Sequence, residues 1–355
     1  MILKYVPFLK LKQNEIRAIG DLDTPVSRDI IPFFDIIQVE NLGEKSLEDN
    51  LILRKKDIIS NLDSKQLFYI DNYDQQDSIN CDYDVVLETY KDLNLIPVIG
   101  LDRDDAHINS VCSYLLSKES NGKLAIRFTV NDIQSFTIIQ DEINDYLLPC
   151  INLSDELDII LDLRVINNNN LVYLKTRCIK FINDIVKQLN YNKIIIASSV
   201  FIPIMGAIIK TNQIITIDRL ENKLWRKIKR AVENKDIVFG DYTNISPDYA
   251  EPTISMKIIQ NVMTPKVSYT EKDTYFLLRG NAFKTNKYGY GQYFFIAQHI
   301  IKKPFFRGET YSSGDKYIYD RGIVPLPKSI KKGGNPSSWI RNTICTHITF
   351  IRNLI

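Results

Sequence analysis

The chain has 355 residues, 45% hydrophobic and 10% aromatic, which is enough for a sizeable core and long enough for a barrel of about 250 residues with an elaborated tail. A formal net charge of +2 gives no global drive toward nucleic acid, so any such contact has to be local. No window approaches the ~18 unbroken apolar residues of a membrane span, and Met1–Lys10 lacks the form of a signal peptide, so a soluble, cytoplasmic protein without a membrane partner is expected. Cys81, Cys112, Cys150, Cys178 and Cys345 are dispersed and free of CxxC spacing. They read as reduced, mostly buried thiols, and zinc is not expected.

Tyr5–Lys10 reads as a first strand, with Asn14 as N-cap of a short helix over Glu15–Leu22. Ile30–Ile36 is a second strand, followed by a helix over Leu47–Leu62. The unit then recurs: strand Leu67–Asp71 and helix Asp84–Asn94, strand Leu95–Asp102 and helix Asp105–Lys118, strand Leu124–Thr129 and helix Phe136–Leu148. Leu157–Arg164 and Lys193–Ser199 bracket a helix over Leu171–Asn190, and each is a continuous apolar run of the kind a doubly buried parallel strand requires. A less regular span carries a helix over Leu220–Glu233, and Asp236–Tyr242 supplies an eighth strand.

Eight strands alternating with helices predict an α/β fold, a TIM-like (β/α)8 barrel over residues 1–246. The competitor, an open doubly wound sheet, would carry a glycine fingerprint after its first strand, and Lys10–Glu15 has none. Pro7, Pro32 and Pro97 each remove a ladder donor, so they are expected at strand beginnings. Beyond residue 247 the pattern becomes an α+β extension packing on the barrel. It has a hairpin of Val267–Thr270 and Thr274–Arg279, a helix over Tyr293–Ile301, a glycine and serine loop around Ser312–Asp315, and a helix over Ser337–Leu354 capped by Ser337 or Ser338.

Polar residues at the carboxyl ends of barrel strands point into a shared mouth. Here they are Lys10, Asp35, Asp71, Asp102, Arg127, Asp162 with Arg164, Ser198 and Asp241. Carboxylates gathered at one mouth repel unless a divalent cation, a cationic substrate or neighbouring Arg and Lys groups offset them. Asp162 and Asp241 are the expected metal pair, for magnesium or manganese. The blander alternative is that each Asp caps the next helix. A second candidate is an anion cradle in which Arg279 and Gly280, with Gly289 and Gly291 at the start of a helix, hold phosphate; an ordinary turn would use the same glycines. His107 beside Asp104 and Asp105 suits acid–base work or a solvated helix start, whereas His299 is expected as a core imidazole. Lys328, Lys331 and Lys332 with Arg321 and Arg341, among Tyr317, Tyr319 and Trp339, suit a local nucleic-acid patch or a solvated loop.

Several stretches occur in one order along the chain: Tyr5–Lys10 with Lys12 and Glu15; Phe239–Tyr242 with Pro247; Tyr269-Thr270; Arg279-Gly280; Gly291–Tyr293; Ser313–Asp315; and Gly334–Pro336 ahead of Trp339, Arg341 and His347. Together they resemble the beta-protein family of phages and prophages. The resemblance implies a phage–host conflict setting and no established catalytic residues. Where it leads one to expect two histidines in the last helix, this chain has Thr346-His347.

The expected function is binding of a phosphate-bearing ligand, a nucleotide or nucleic-acid end, at the barrel mouth under the extension. Metal-dependent phosphodiester hydrolysis would use Asp71, Asp102, Asp162 and Asp241 as ligands or bases, with Arg164 and Arg279 stabilising charge and His347 and Arg341 as further candidates. The alternative is a non-enzymatic scaffold that recognises a phage or host protein.

Overall fold

Eight parallel strands close into a ring in the computed structural model, which describes residues 3–38, 46–75, 83–118, 122–232, 236–249, 263–325 and 333–355. The strands are β1 (Tyr5–Lys10), β2 (Phe33–Asp35), β3 (Phe68–Asp71), β4 (Leu95–Ile99), β5 (Lys123–Phe128), β6 (Glu156–Val165), β7 (Lys193–Ser199) and, after β8 (Gln213–Asp218) has left the ring, β9 (Ile237–Asp241), which closes onto β1. Around them run α1 (Gln13–Gly20), α2 (Thr24–Arg28), α3 (Leu47–Asn61), α4 (Tyr83–Tyr90), α5 (Asp105–Leu116), α6 (Phe136–Glu142), α7 (Leu148–Ile151), α8 (Leu171–Ile185), the single turn α9 (Met205–Ile208) and α10 (Leu220–Ala231). The chain is therefore a TIM-like barrel. No described helix is long and apolar enough to cross a membrane.

Successive strand residues face opposite sides, so each strand feeds two cores. Val6, Phe8, Phe33, Tyr69, Val98, Ile160, Ile195 and Val238 fill the barrel interior, and the intervening residues meet the helices outside. Gly240 faces inward, where an added Cβ would lie 3.1 Å from both Ile195 and Phe8; the interior closes only because this position has no side chain.

Pro7 and Pro97 sit in mid-strand, not at strand beginnings. β1 pairs with β9 through Tyr5, Val6 and Pro7 and with β2 through Phe8, Leu9 and Lys10. Likewise β4 pairs with β3 up to Pro97 and with β5 from Val98 onward. Each proline therefore occupies the point where a strand changes partners in the sheared ring, and its missing N–H disrupts neither ladder. Pro32 does precede its strand.

The extension is built on β10 (Lys266–Thr270), β11 (Thr274–Arg279), α11 (Gln292–Ile301), α12 (Ser313–Gly322) and α13 (Pro336–Leu354). Two of these features depart from expectation. The span before Leu220 contains β8, which pairs antiparallel with β11, so a strand from before residue 246 completes the small sheet in the order β10-β11-β8. The Ser312–Asp315 stretch begins the helix α12: Ser312 accepts from the Asp315 amide as its cap.

Three local expectations are also corrected. Lys12, not Asn14, is the N-cap of α1 and supplies no side-chain cap. Asn335 caps α13 in a reciprocal box with Ser338, and Pro336 is inside its first turn. Cys112 and Cys150 are joined in a disulfide instead of standing as free thiols, because α5 and α7 pack together and bring their Cα atoms to 5.1 Å. Cys178 and Cys345 are buried thiols; Cys81 lies outside the described residues.

Candidate functional site

Strand alternation decides which of the strand-end residues meet. Lys10, Asp35, Asp71, Arg127 and Asp162 stand two residues beyond Phe8, Phe33, Tyr69, Ala125 and Ile160, all interior, so all five enter the barrel at its carboxyl end. Arg127 is their hub. Its guanidinium donates to Asp35 at 2.8 Å, Asp71 at 2.7 Å, Asp162 at 2.7 and 3.1 Å and the Tyr242 hydroxyl at 2.9 Å, and Tyr242 in turn donates to Asp162 at 2.8 Å.

Three further cations surround this hub. Arg103 donates to both Asp71 oxygens at 2.8 and 2.9 Å and lies 2.6 Å from Asp102. Lys10 Nζ is 3.6 Å from Asp35, bonds Asp74, and donates to the Pro247 carbonyl at 2.7 Å. Arg164 donates to Asp248 at 2.6 and 3.0 Å, to the Pro247 carbonyl at 3.0 Å and to Asp74 at 3.3 Å. It does so from a left-handed backbone, φ 49°, in which its own N–H bonds Asp162 at 3.0 Å. That conformation costs about 1 kcal/mol or more in a non-glycine residue, and the network offsets it. The Tyr73 ring lies beneath the guanidinium groups of Arg127, Arg164 and Arg103, at 4.3, 4.8 and 5.5 Å.

The repulsion expected among the aspartates is thus offset by protein cations. Burial pushes the Asp35 carboxyl up, but Arg127, then Lys10 and Arg164, hold it below the ordinary range. Asp74 is held above it by burial and by the charge of Asp35. Arg127 is fully buried and all its bonds are engaged, so it supports the mouth from below and presents no face to a phosphate.

Asp241 does not join this group. Val238, Gly240 and Tyr242 face inward, so Asp241 faces out, toward the extension. It accepts from the Tyr5 hydroxyl, lies 3.0 and 3.2 Å from His347 Nε2, and is 3.8 Å from Arg219. His347 Nδ1 meets the Thr270 hydroxyl at 2.8 Å, and Glu221 receives Arg219 at 2.9 Å and Tyr275 at 3.0 Å. Burial opposes charge on Asp241, yet His347 and then Arg219 keep its carboxyl below the ordinary range; burial lowers His347 despite Asp241. Ser198 has the same outward parity and is buried beside Asp241 in the ladder.

Asp162 and Asp241 therefore lie on opposite sides of the barrel wall and do not form a metal pair. Among the described residues no cluster of three or more His, Cys, Asp or Glu is arranged to hold a metal. Both Asp71 oxygens and Asp162 Oδ2 already accept guanidinium N–H groups, and Asp162 Oδ1 accepts the Arg164 amide, so a cation would have to displace them.

The anion cradle is also separate from the mouth. Arg279 donates to the Ile209 carbonyl at 2.7 Å and the Thr264 hydroxyl at 3.1 Å, and Gly280 is pressed against Gln292, 2.7 Å from where a Cβ would stand. The amides of Gly289 and Gly291 are engaged by the Asn286 and Tyr288 carbonyls at 2.9 and 2.6 Å. They build a turn. His107 is buried and structural, its Nε2 2.8 Å from the Val98 carbonyl and its pKa pushed down to about 4 by burial and then Arg103, while Asp104 caps α5. His299 is exposed on α11, not in the core. Arg341 grips Asp21 at 2.5 and 2.6 Å, Trp339 is buried, and Lys328–Lys332 lies outside the described residues.

What the mouth leaves open is a cleft of about 440 Å3 between the first turn of α1, the Ile245–Tyr249 loop and the start of α13. Lys10 and Lys12 place their ammonium groups 4.7 and 5.8 Å from the Tyr249 ring at its wall. Glu15, buried there, has its carboxyl pushed up to about 7, chiefly by burial. Sequence reasoning missed Tyr73, Asp74, Arg103, Tyr242, Asp248 and Tyr249. Tyr242 was accessible from the parity of Val238 and Gly240, and Tyr73-Asp74 from its position directly after β3.

The family model for Beta protein matches residues 5–352. The chain belongs to that family. No curated protein and no solved structure matches it. In this Beta protein family member, several of the stretches that carry the resemblance meet at the seam between barrel and extension. Asp241 and Thr270 meet through His347. Asp315 accepts from Tyr269 and Ser312, each at 2.5 Å, and from Thr346. Gly314 lets α12 touch α13, since its Cβ would stand 2.2 Å from the Asn342 carbonyl. Thr346, where a second histidine was expected, receives Arg307 at 2.7 Å.

Proposed function

We propose that this Beta protein family member binds a phosphate-bearing ligand, a nucleotide or nucleic-acid end, in the cleft at the barrel mouth. The observation that carries this reading is Lys12 beside the Tyr249 ring at the first turn of α1, which no side chain caps; Lys10, on the same ring, is engaged by Asp74, Asp35 and the Pro247 carbonyl. An uncapped helix start offers N–H groups and a partial positive charge, and the Lys12 ammonium adds a full charge beside it. Of the carboxylates beside Lys12, Asp248 is paired with Arg164, and the carboxyl of Glu15 is pushed up to about 7 by burial. Tyr249 supplies a flat face on which a base can stack.

The mouth aspartates serve in this reading as the frame that holds Arg103, Arg127, Arg164 and Lys10 in place. It is a binding function, and it involves no hydrolytic step. A phage–host conflict is the setting proposed for it, on the family resemblance alone. The test is calorimetric titration with inorganic phosphate and a nucleotide panel, in buffer without divalent metal, on the native chain and on Lys12→Glu. Binding heat that weakens at least about tenfold in the variant supports the reading, since reversing one such contact is worth roughly 1.4 kcal/mol or more. No heat across the panel, or equal heat in both proteins, overturns it.

A further inference from the structure

The small sheet ends on an edge that nothing described covers. The Gly280 amide donates to the Pro265 carbonyl, so Thr274, Phe276 and Leu278 turn their backbone groups toward β10, and Tyr275, Leu277 and Arg279 turn theirs toward β8. Opposite the latter stand Ile217, Ile215 and Gln213. Ile214, Thr216 and Asp218 therefore present N–H and C=O to the outside, and all three are exposed, Ile214 by 43%. Along the six residues of β8 there is no proline, glycine or lysine of the kind that blunts an open edge.

Beside this edge runs a cleft of about 430 Å3 between β8, β11 and α11, with Ile214, Leu278, Phe295 and Ile296 among its lining residues. The chain around it carries more Lys and Arg than Asp and Glu: residues 205–232 hold seven against two, of which Lys223 pairs with Asp218, Arg226 with Asp273 and the buried Arg219 with Glu221, leaving Lys210, Lys227, Lys229 and Arg230 without a carboxylate partner among the described residues. None of the cleft's lining residues is acidic, and Arg279 and His299 are among them.

We propose that β8 is a docking edge for an extended, acidic segment of a partner protein, which adds a fourth strand to the sheet and drops apolar side chains into the cleft. Backbone pairing along Ile214, Thr216 and Asp218 supplies register, and the surrounding cations select against neutral or basic strands. A second copy of this chain is disfavoured as the occupant because edge-to-edge pairing would bring two basic surfaces together. A nucleic acid is disfavoured because both faces of the sheet are covered, by α11 on one side and by Phe201 and Ile209 on the other, and the Tyr288 and Phe295 rings at the cleft pack edge-on against each other.

The test uses the full chain and a short capped peptide alternating glutamate and valine, with amide hydrogen exchange over residues 213–218 as readout. Exchange slowed about tenfold by this peptide, with no slowing by its lysine–valine counterpart, is the expected result. Thr216→Pro removes one outward N–H and leaves the β11 pairing intact, and Ile214→Glu adds a repelling charge at the exposed position. Each should abolish the slowing, so a folding failure in one leaves the other to decide. The proposal is overturned by no slowing with the glutamate peptide, by equal slowing with the lysine peptide or in a folded variant, by protection that grows with protein concentration alone, or by displacement of the peptide with single-stranded oligonucleotide. Lys12→Glu should leave peptide binding unchanged, which keeps this outcome distinct from that of the mouth cleft.

Discussion

Two buried polar networks lie on either side of the barrel wall, and both start from aspartates at the carboxyl ends of strands. Inside, Asp35, Asp71 and Asp162 converge on Arg127, and the network reaches a cleft through Lys10 and through Asp248, which Arg164 holds. Outside, Asp241 is sealed between Tyr5, His347 and Arg219, with both Asp241 and His347 essentially inaccessible. The same residue type at the same end of the ring thus does two jobs, and a single step in strand parity selects between them. The inner network borders the cleft at the barrel mouth. The outer one fastens the extension to the barrel.

The largest difference between the two should come from removing the inner hub. Arg127→Met leaves three buried carboxylates without their shared partner, and loss of one member of a buried ion network typically costs about 3–5 kcal/mol. Chemical denaturation should show this loss; a change under about 1 kcal/mol would mean that water or a repositioned Arg103 replaces it. His347→Ala should cost less, about 1–3 kcal/mol, because it strands one carboxylate that keeps Tyr5 and Arg219.

The networks should also separate by pH. His347 has its folded pKa below its unfolded value of 6.5, so its contribution is complete above that value and is lost as pH falls toward the depressed folded pKa. Asp241, also depressed, loses its contribution as pH falls from 3.8 through its folded pKa. Glu15 behaves in the opposite sense. Its pKa rises from 4.5 to about 7 on folding, so its contribution is complete below 4.5 and is lost as pH rises through about 7. Glu15→Gln should therefore raise stability at pH 8, by about 1–3 kcal/mol, and leave it nearly unchanged at pH 4. A variant with the same gain at both values would show that the carboxyl is not protonated in the fold. By the same sign, phosphate binding at the mouth should tighten as pH falls through 7. Lys12→Glu is the mildest for stability, within about 0.5 kcal/mol, and should act on binding alone.

The ring was legible because a parallel strand buried on both faces is built on an unbroken apolar run, and Ile159–Leu161 and Ile194–Ala197 are such runs. β8 was less so: Ile214-Ile215-Thr216-Ile217 is β-branched, but the run is short and half exposed at an edge, and it stands outside the alternation of strand and helix that marks the ring. α12 was hidden by Ser312-Ser313-Gly314, which reads as a loop until Ser312 is seen to cap it and Gly314 to meet α13. At the site, strand ends located the aspartates and Arg127 well. Their partners came from loops: Tyr73, Asp74, Arg103, Asp248 and Tyr249 reach the mouth from segments with no periodicity to place them. Asp241 departs from the rule that strand ends point inward because Gly240 in β9 and Tyr242 just after it hold the inward positions.

Arg103 and Arg127 balance the mouth aspartates Asp71, Asp35 and Asp162 by direct ion pairs. Titration of the native chain with manganese, followed by the electron paramagnetic resonance of the free ion, tests this balance most directly. The account predicts that manganese stays free at concentrations where carboxylate metal sites fill, in the native chain and in Asp162→Asn alike. Stoichiometric uptake by the native chain that disappears in Asp162→Asn would contradict it.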